Sequence, residues 1–263
     1  MSKKEKQNPL APPPATPAIP DVAKPQPAIA LRNVGKSYRV GKNDITVLKD
    51  INLEIFPGEF VIILGPSGSG KSTLLNHLLG LEQPTSGRVI LYGHDITNLG
   101  TNAIARLRYR YCGVIFQRPD WINSINVVQN VSLPLAIHGV RTGDRLSKAW
   151  QYLKEVDMTD HGSYPPTDLS GGQQQKIALA RAMINEPSMY IADEPTGNLD
   201  SVSADKVMDI FQHLNQDQKK TIIMVTHNID YVRFGSRTIY IRDGRVASGA
   251  EQFLKTPAEI HAT

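Results

Sequence analysis

Gly65-Pro66-Ser67-Gly68-Ser69-Gly70-Lys71-Ser72 fits G-x-x-x-x-G-K-[ST] at every specified position and follows directly on the apolar run 60–64. A continuous apolar run of that length belongs to a strand buried on both faces, and the pattern over 71–79 predicts a helix. Strand, glycine loop and helix in this order suit few folds, because the loop must lie at the end of a covered sheet. The residue types also state a chemistry. Phosphate oxygens need several converging backbone N–H donors, and glycines allow the backbone to come close without a side-chain clash. The following helix aims its positive end at the anion. Lys71 supplies a mobile cation, and the Ser72 hydroxyl can ligate a divalent metal.

The rest of the chain agrees with such a sheet. Alternation over 51–55 reads as a half-buried strand, and Pro84-Thr85-Ser86-Gly87 as a turn into a strand over 88–92. Buried strands are expected at 113–116, 189–192, 222–226 and 238–241, with a helix over 202–214. Between about 118 and 168 the strand signal fades and helical stretches such as 146–156 replace it. The expected architecture is α/β: a mostly parallel core sheet, an antiparallel N-terminal β-subdomain and an inserted helical subdomain over about 118–185. The strand 189–192 runs into Asp193-Glu194. Two acids at a strand end are common by themselves. Beside a phosphate loop, the first suits a metal, often through water, and the second can polarise an attacking water.

Composition limits the alternatives. The 263 residues are 40% hydrophobic, enough for a packed core. The net charge of +4 invites a nucleic-acid reading, but half of it comes from the first 28 residues, where four lysines face two acids. No basic block interleaves with aromatics, and no nucleic-acid partner is expected. Residues 1–27 hold eight of the 18 prolines and are expected to be a disordered tail; residues 251–263 are expected to form a second tail beyond the domain spanning 28–250. The N-terminus lacks the apolar core of a signal peptide, and no apolar run reaches the roughly 18–20 residues of a membrane span. A soluble protein is expected. Cys112 is the only cysteine, so no intrachain disulfide can form; beside a buried strand it reads as core packing.

A second glycine pair stands far downstream of the first. Leu169-Ser170-Gly171-Gly172-Gln173-Gln174-Gln175 opens a helical pattern for which Ser170 is a natural N-cap, and the glycines let the helix start approach an anion. Ser-Gly-Gly is often only a turn, but this one lies shortly before the Asp193-Glu194 strand. In that order the motifs resemble the ABC ATPase family, over about residues 29–248. Residues 169–175 are similar to the family signature, 65–73 (through Thr73) to Walker A and 190–194 to Walker B. Gln117 matches the Q-loop, Asn198-Leu199-Asp200 the D-loop, and His227 the switch histidine. Tyr38 matches the aromatic that stacks on adenine. Alone, Tyr38 would read as an ordinary strand tyrosine and His227 as a structural histidine.

The resemblance implies hydrolysis of ATP with Mg²⁺ by a homodimer of ATPase domains packed head to tail. It implies that Lys71, Ser72, Gln117 and Asp193 hold nucleotide and metal in cis, with Ser72, Gln117 and Asp193 at the metal. Glu194 activates water, and His227 bridges the γ-phosphate and the catalytic region. Ser170, Gly171, Gly172 and Gln173 act in trans on the partner's ATP. It also implies integral-membrane permease subunits as partners, and a cytoplasmic location on the inner face of the membrane through them. The run 194–201, the glutamines 173–175, the loop 65–73 and the segment 130–135 are most similar to lipoprotein-releasing, macrolide-efflux and cell-division ATPases. The leading expectation is therefore export or extraction of a lipoprotein, peptide or drug from the inner membrane. The alternatives are a mechanotransmission ATPase that regulates cell-wall remodelling without transport, and a soluble ABC protein acting on ribosomes or DNA. Little sequence lies beyond His227, so no added C-terminal regulatory domain is expected. Lys176-Ile177 replaces the Arg-Val common after the signature. Residues 118–123 depart from the usual apolar segment after the Q-loop glutamine, and Trp121 there reads either as a local core aromatic or as an anchor for a docked partner.

Overall fold

A computed structural model describes residues 26–247 as two sheets with helices packed on them. The segment expected over 1–27 lies outside the described residues except for Gln26 and Pro27, and the tail expected over 251–263 lies outside them entirely.

The first sheet is antiparallel, in the order β2-β1-β4-β5, from β1 (Ile29–Val40), β2 (Asn43–Ile55), β4 (Ser86–Leu91) and β5 (His94–Asp95). The second runs β10-β9-β3-β8-β7-β6. Its parallel members are β3 (Phe60–Leu64), β6 (Cys112–Ile115), β7 (Met189–Asp193), β8 (Thr221–Val225) and β9 (Arg237–Arg242), and β10 (Arg245–Val246) joins antiparallel at the edge. The fold is thus α/β, with a parallel core sheet and an antiparallel N-terminal sheet, as the sequence predicts.

Strand periodicity assigns the core to two layers. Phe60, Ile62 and Leu64 of β3 join Tyr190, Ala192, Ile222 and Met224 in one cluster. Val61 and Ile63 turn to the opposite face with Ile191, Ile223 and Val225, against Ile29, Leu31, Ile51 and Ile55 of the antiparallel sheet. Every residue of β3 is buried, because both faces of the central sheet are covered.

The helices are α1 (Lys71–Leu78), α2 (Thr101–Tyr111), α3 (Val127–Ile137), α4 (Thr142–Glu155), α5 (Gly171–Met183) and α6 (Ser201–Gln216). α1 packs in the layer shared with the antiparallel sheet, through Leu74, Leu75 and Leu78. α3, α4 and α5 pack on one another and join the opposite layer. α2 buries Ile104 and packs Leu107 and Tyr111 beside it, a short i, i+3, i+7 face on a helix otherwise rich in arginine.

The segment after β6 is pinned by Asn130, a fully buried residue of α3. Its Oδ1 accepts from Ile122 N, and its Nδ2 donates to the carbonyls of Ile122, Ile125 and Asn126. Trp121, in the same segment, is turned into the protein's own packing. Its indole N–H donates to Gln174 Oε1 at 3.0 Å, and the Arg181 guanidinium lies 4.4 Å from its ring centroid. These contacts agree with a local core aromatic.

Candidate functional site

Sheet order decides where the site forms. β3 is flanked by β8 and β9, and β7 lies on the far side of β8. The loop after β3 and the acids ending β7 therefore emerge at the same edge, at the carboxyl ends of parallel strands, where α/β folds bind ligands. Val47, Ser67, Gly68, Gly70, Lys71, Ser72, Thr73, Asp193, Glu194 and His227 line one cavity of about 370 Å³ there. Gly65, Pro66 and Ser69 complete the loop behind it.

The loop is held from both sheets. Gly70, the residue that caps α1, has φ 104°, and Gly68 has φ 76°, both in the left-handed region open to glycine. A Cβ on Gly70 would press on Leu48 Cδ2 at 2.9 Å and on the Val47 carbonyl at 3.2 Å. From the other side, Gly244 N donates to Ser69 O at 3.1 Å. The Lys71 ammonium donates to the loop's own carbonyls at Gly65, 2.7 Å, and Pro66, 2.9 Å. The buried Ser69 hydroxyl has no hydrogen-bond partner among the described residues. A lysine tethered to the loop, with the Ser72 hydroxyl beside it in the same cavity, suits a polyphosphate.

Glu194 leaves β7 with φ 47°, a conformation uncommon for a non-glycine residue and found where a side chain must be aimed. Its N–H donates to Val225 O at 2.8 Å, tying it to β8. One carboxylate oxygen accepts from His227 Nδ1 at 2.8 Å and the other from Thr226 Oγ1 at 3.3 Å. The His227 side chain is 70% exposed and that of Glu194 16%, so the histidine caps the carboxylate from the solvent side. Burial, and next the Glu194 charge, push the Asp193 carboxyl above the usual aspartate range, while Lys71 opposes them.

The donor set suits a magnesium ion. Among the described residues no group of three or more His, Cys, Asp or Glu gathers as a metal cage. A hard cation bound through one hydroxyl and one carboxylate, with substrate oxygens completing its shell, needs no such cage. Ser72 and Asp193 both face the cavity. Gln117 is not among its lining residues; its Nε2 lies 3.0 Å from where a Cβ on Gly197 would sit, next to the Glu194 loop.

Tyr38 also stands outside that lining. Its hydroxyl donates to Glu82 Oε2 at 2.7 Å, and Lys36 holds the other carboxylate oxygen at 2.9 Å. Burial, and then the Glu82 bond, raise its pKa, while a bond with Thr73 works the other way.

The second glycine pair is elsewhere. Ser170 caps α5: its hydroxyl accepts from Gln173 N at 3.3 Å, and Gln173 Oε1 accepts from Ser170 N at 2.8 Å, a reciprocal capping box. None of residues 170–173 lines the cavity. Gly172 instead meets the start of α6, where a Cβ would come within 2.6 Å of Ser203 Oγ. Asp200 caps α6, accepting from Ser203 N at 3.0 Å and Ser203 Oγ at 2.7 Å, and these bonds hold its carboxyl below the usual range.

Sequence reasoning did not reach Val47, Glu82 or a role for Thr226. Only Thr226 left a signal, a hydroxyl directly before His227 at a strand end. Val47 and Glu82 come from elsewhere in the chain, and nothing in their local sequence points to the loop.

The fold and this loop-and-carboxylate site define a P-loop ATPase of the ABC type. The sequence model of the ABC transporter family matches residues 48–197, and the chain belongs to that family. It is 42% identical over 218 residues to the ABC transporter ATP-binding protein YvrO of Bacillus subtilis, covering 83% of this chain and 95% of that protein. It is 43% identical to the macrolide export ATP-binding/permease protein MacB of Salmonella choleraesuis over 218 residues, 83% of this chain but 34% of that longer protein. The dimeric, post-hydrolysis structure of the ATP-binding cassette MJ0796 with ADP and Pi superposes with TM-score 0.79 at 39% identity, covering 84% of this chain and 97% of the cassette. The chain is an ATP-hydrolysing, nucleotide-binding subunit of the ABC transporter class.

Proposed function

We propose that this chain powers an integral-membrane permease by hydrolysing ATP held between two of its copies. One observation carries the reading: the cavity brings together Lys71, Ser72, Asp193, Glu194 and His227 but excludes Ser170–Gln173. A triphosphate in that cavity meets the P-loop of one copy and leaves its outer face for the capped helix of another. The dimer of MJ0796 supports that arrangement.

In this reading Lys71 turns from the loop carbonyls to the β- and γ-phosphates. Ser72 and Asp193 hold Mg²⁺, and Gln117 approaches from the Gly197 side to complete the set. The metal supplies neutralisation of charge on the phosphate oxygens. Glu194, fixed by Thr226 and His227, orients the attacking water and receives its proton. His227, which donates through Nδ1 to Glu194, bridges the γ-phosphate and the catalytic region. Ser170, Gly171, Gly172 and Gln173 direct hydroxyl and N–H groups at the partner's nucleotide, Asp200 sets the start of α6 beside them, and Tyr38 receives the adenine. Catalysis is positioning and electrostatics, with no covalent intermediate on the protein. Residues 28–250 form the working unit, with its helical part over about 118–185.

Export or extraction of a substrate from the inner membrane fits the macrolide-export relatives better than mechanotransmission does, and places the chain on the cytoplasmic face through its permease. Among the described residues no helix is long and apolar enough to cross a membrane. Glu194→Gln should accumulate an ATP-bound dimer on light scattering with turnover lowered at least about a hundredfold. Ordinary turnover in that variant removes Glu194 from its role. Co-purification from detergent-solubilised membranes should recover a permease, and recovery without one refutes the coupling.

A further inference from the structure

His161 stands just ahead of the signature helix and is not used by the cycle above. It ends the 3-10 turn Thr159–His161, and its Nε2 lies 3.0 Å from Gln173 Nε2. Two nitrogens attract at that distance only if one donates and the other accepts. The Gln173 amide decides which. Its other end meets the Ser170 backbone N–H at 2.8 Å, and a backbone N–H can only donate. The oxygen must therefore face Ser170 and the NH₂ must face the imidazole. His161 Nε2 is the acceptor, and the ring is the neutral tautomer with its proton on Nδ1.

The ring is also well anchored. Its Nδ1 is buried. Tyr164 meets the ring edge-on, with centroids 5.4 Å apart, and Tyr164 N donates to the His161 carbonyl at 3.0 Å. The same short segment is fastened to α3, because Val128 N donates to Gly162 O at 2.8 Å and Val127 N to Tyr164 O at 3.0 Å. α3 in turn carries Asn130, which clamps the segment following Gln117. His161 is thus a joint between that segment and the cap of the signature helix.

We propose that His161 is a positioning residue for the trans half of the nucleotide site. By accepting from Gln173 it fixes the side chain whose oxygen holds Ser170 N–H, and so sets the direction of the Ser170 hydroxyl and the first N–H groups of α5. This rests on the reading that Ser170–Gln173 act on the ATP of a second copy. Without the acceptor, the Gln173 amide is free to rotate, and the capping box loses the bond that reaches back to Ser170.

The test uses the full chain in the Glu194→Gln background, with ATP-driven dimerisation read by light scattering and mant-ADP affinity read on the monomer. A lost cap interaction is worth roughly fivefold per site, and a symmetric dimer has two such sites, so His161→Leu should weaken dimerisation on the order of 25-fold. Its mant-ADP affinity should match the parent, because the loop site is untouched. His161→Gln, which restores an acceptor oxygen, should bring dimerisation back to within about twofold. Should the leucine variant not fold, His161→Lys, which offers only donors, carries the same expected loss. Ser170→Ala separates the two readings. If it leaves dimerisation unchanged, the trans reading itself fails. If it weakens dimerisation while His161→Leu does not, or if His161→Gln is as weak as the leucine variant, the role of His161 is overturned.

Discussion

Alanine at Gly65 and alanine at Gly68 place the same methyl group in one loop, yet the structure assigns them different costs. Gly68 has φ 76° and its Cβ would meet nothing within 4 Å, so the penalty is conformational alone. A residue forced into the left-handed region costs about 1–2 kcal/mol, and the stiffer unfolded chain returns about 0.4–1 kcal/mol of it. The net expectation at Gly68 is about 1 kcal/mol. Gly65 is outside that region, but its Cβ would run into the Ile241 carbonyl, whose carbon is 3.2 Å away and whose oxygen is nearer, with Ser69 Oγ at 2.7 Å. Ile241 belongs to β9, paired alongside β3 at Leu64 and Tyr240, so relief requires one strand to slide off the other. Overpacking costs about 1–3 kcal/mol, and a loosened ladder bond adds about 1 kcal/mol. The same return from the unfolded chain applies here, so Gly65→Ala should lose about 2 kcal/mol, roughly twice the loss at Gly68. Urea titrations of the two nucleotide-free variants measure the difference. Equal midpoints, or a larger loss at Gly68, would refute the assignment of crowding to one position and strain to the other.

The carboxyl of Asp193 is held above the ordinary aspartate range, so the native state keeps its proton to higher pH than the unfolded chain does. Stability from this group then falls as pH rises from the ordinary aspartate range through the raised value. Asp193→Asn should raise the urea midpoint of the nucleotide-free protein at neutral pH and flatten its slope in that window; an unchanged slope contradicts the burial argument. Burial pushes the Cys112 thiol up to about 12, so the native protein should resist Ellman's reagent at mildly alkaline pH and react fully once unfolded. Fast labelling of the native state would show that β6 opens. Asn130→Ala removes a buried clamp and should cost about 2–3 kcal/mol, with faster proteolysis between residues 118 and 126 than in the parent; unchanged cleavage would mean that segment is held by other contacts.

How far the sequence could be read depended on whether an element states its own reason for existing. The run 60–64 is apolar throughout because both faces are covered, and it emerges as β3 with the bounds expected. The loop after it is legible because close approach to phosphate demands glycine at fixed spacing. α2 was not anticipated, since its apolar face is only Ile104, Leu107 and Tyr111 set among three arginines, one of which, Arg108, turns inward to donate to Leu79 O. α3 contains Pro134 and is nonetheless a helix, because its capping box at Asn126 and Gln129 and its packing on α4 and α5 outweigh the missing N–H. Trp121 could be read two ways because an aromatic in a loop looks the same whether it anchors a partner or its own backbone. Gln174 and Arg181, more than fifty residues away, favour its own packing.

The positioning residues were the least legible, and the reason lies in how the two halves of the site are joined. Gly172 leaves no room for a side chain against Ser203, Ser203 is bound by Asp200, and Leu199 N and Gly197 N donate back to Thr196 O and Glu194 O. The cap of α5 and the Glu194 carboxylate are thus linked through one short run, residues 194–203. Successive contacts join that cap, Ser203 and the turn that holds Glu194 at its left-handed φ. On the function proposed above, hydrolysis in one half-site is expected to depend on how well the same copy serves the other half-site. No single motif states that dependence, because it resides in the distance between two of them.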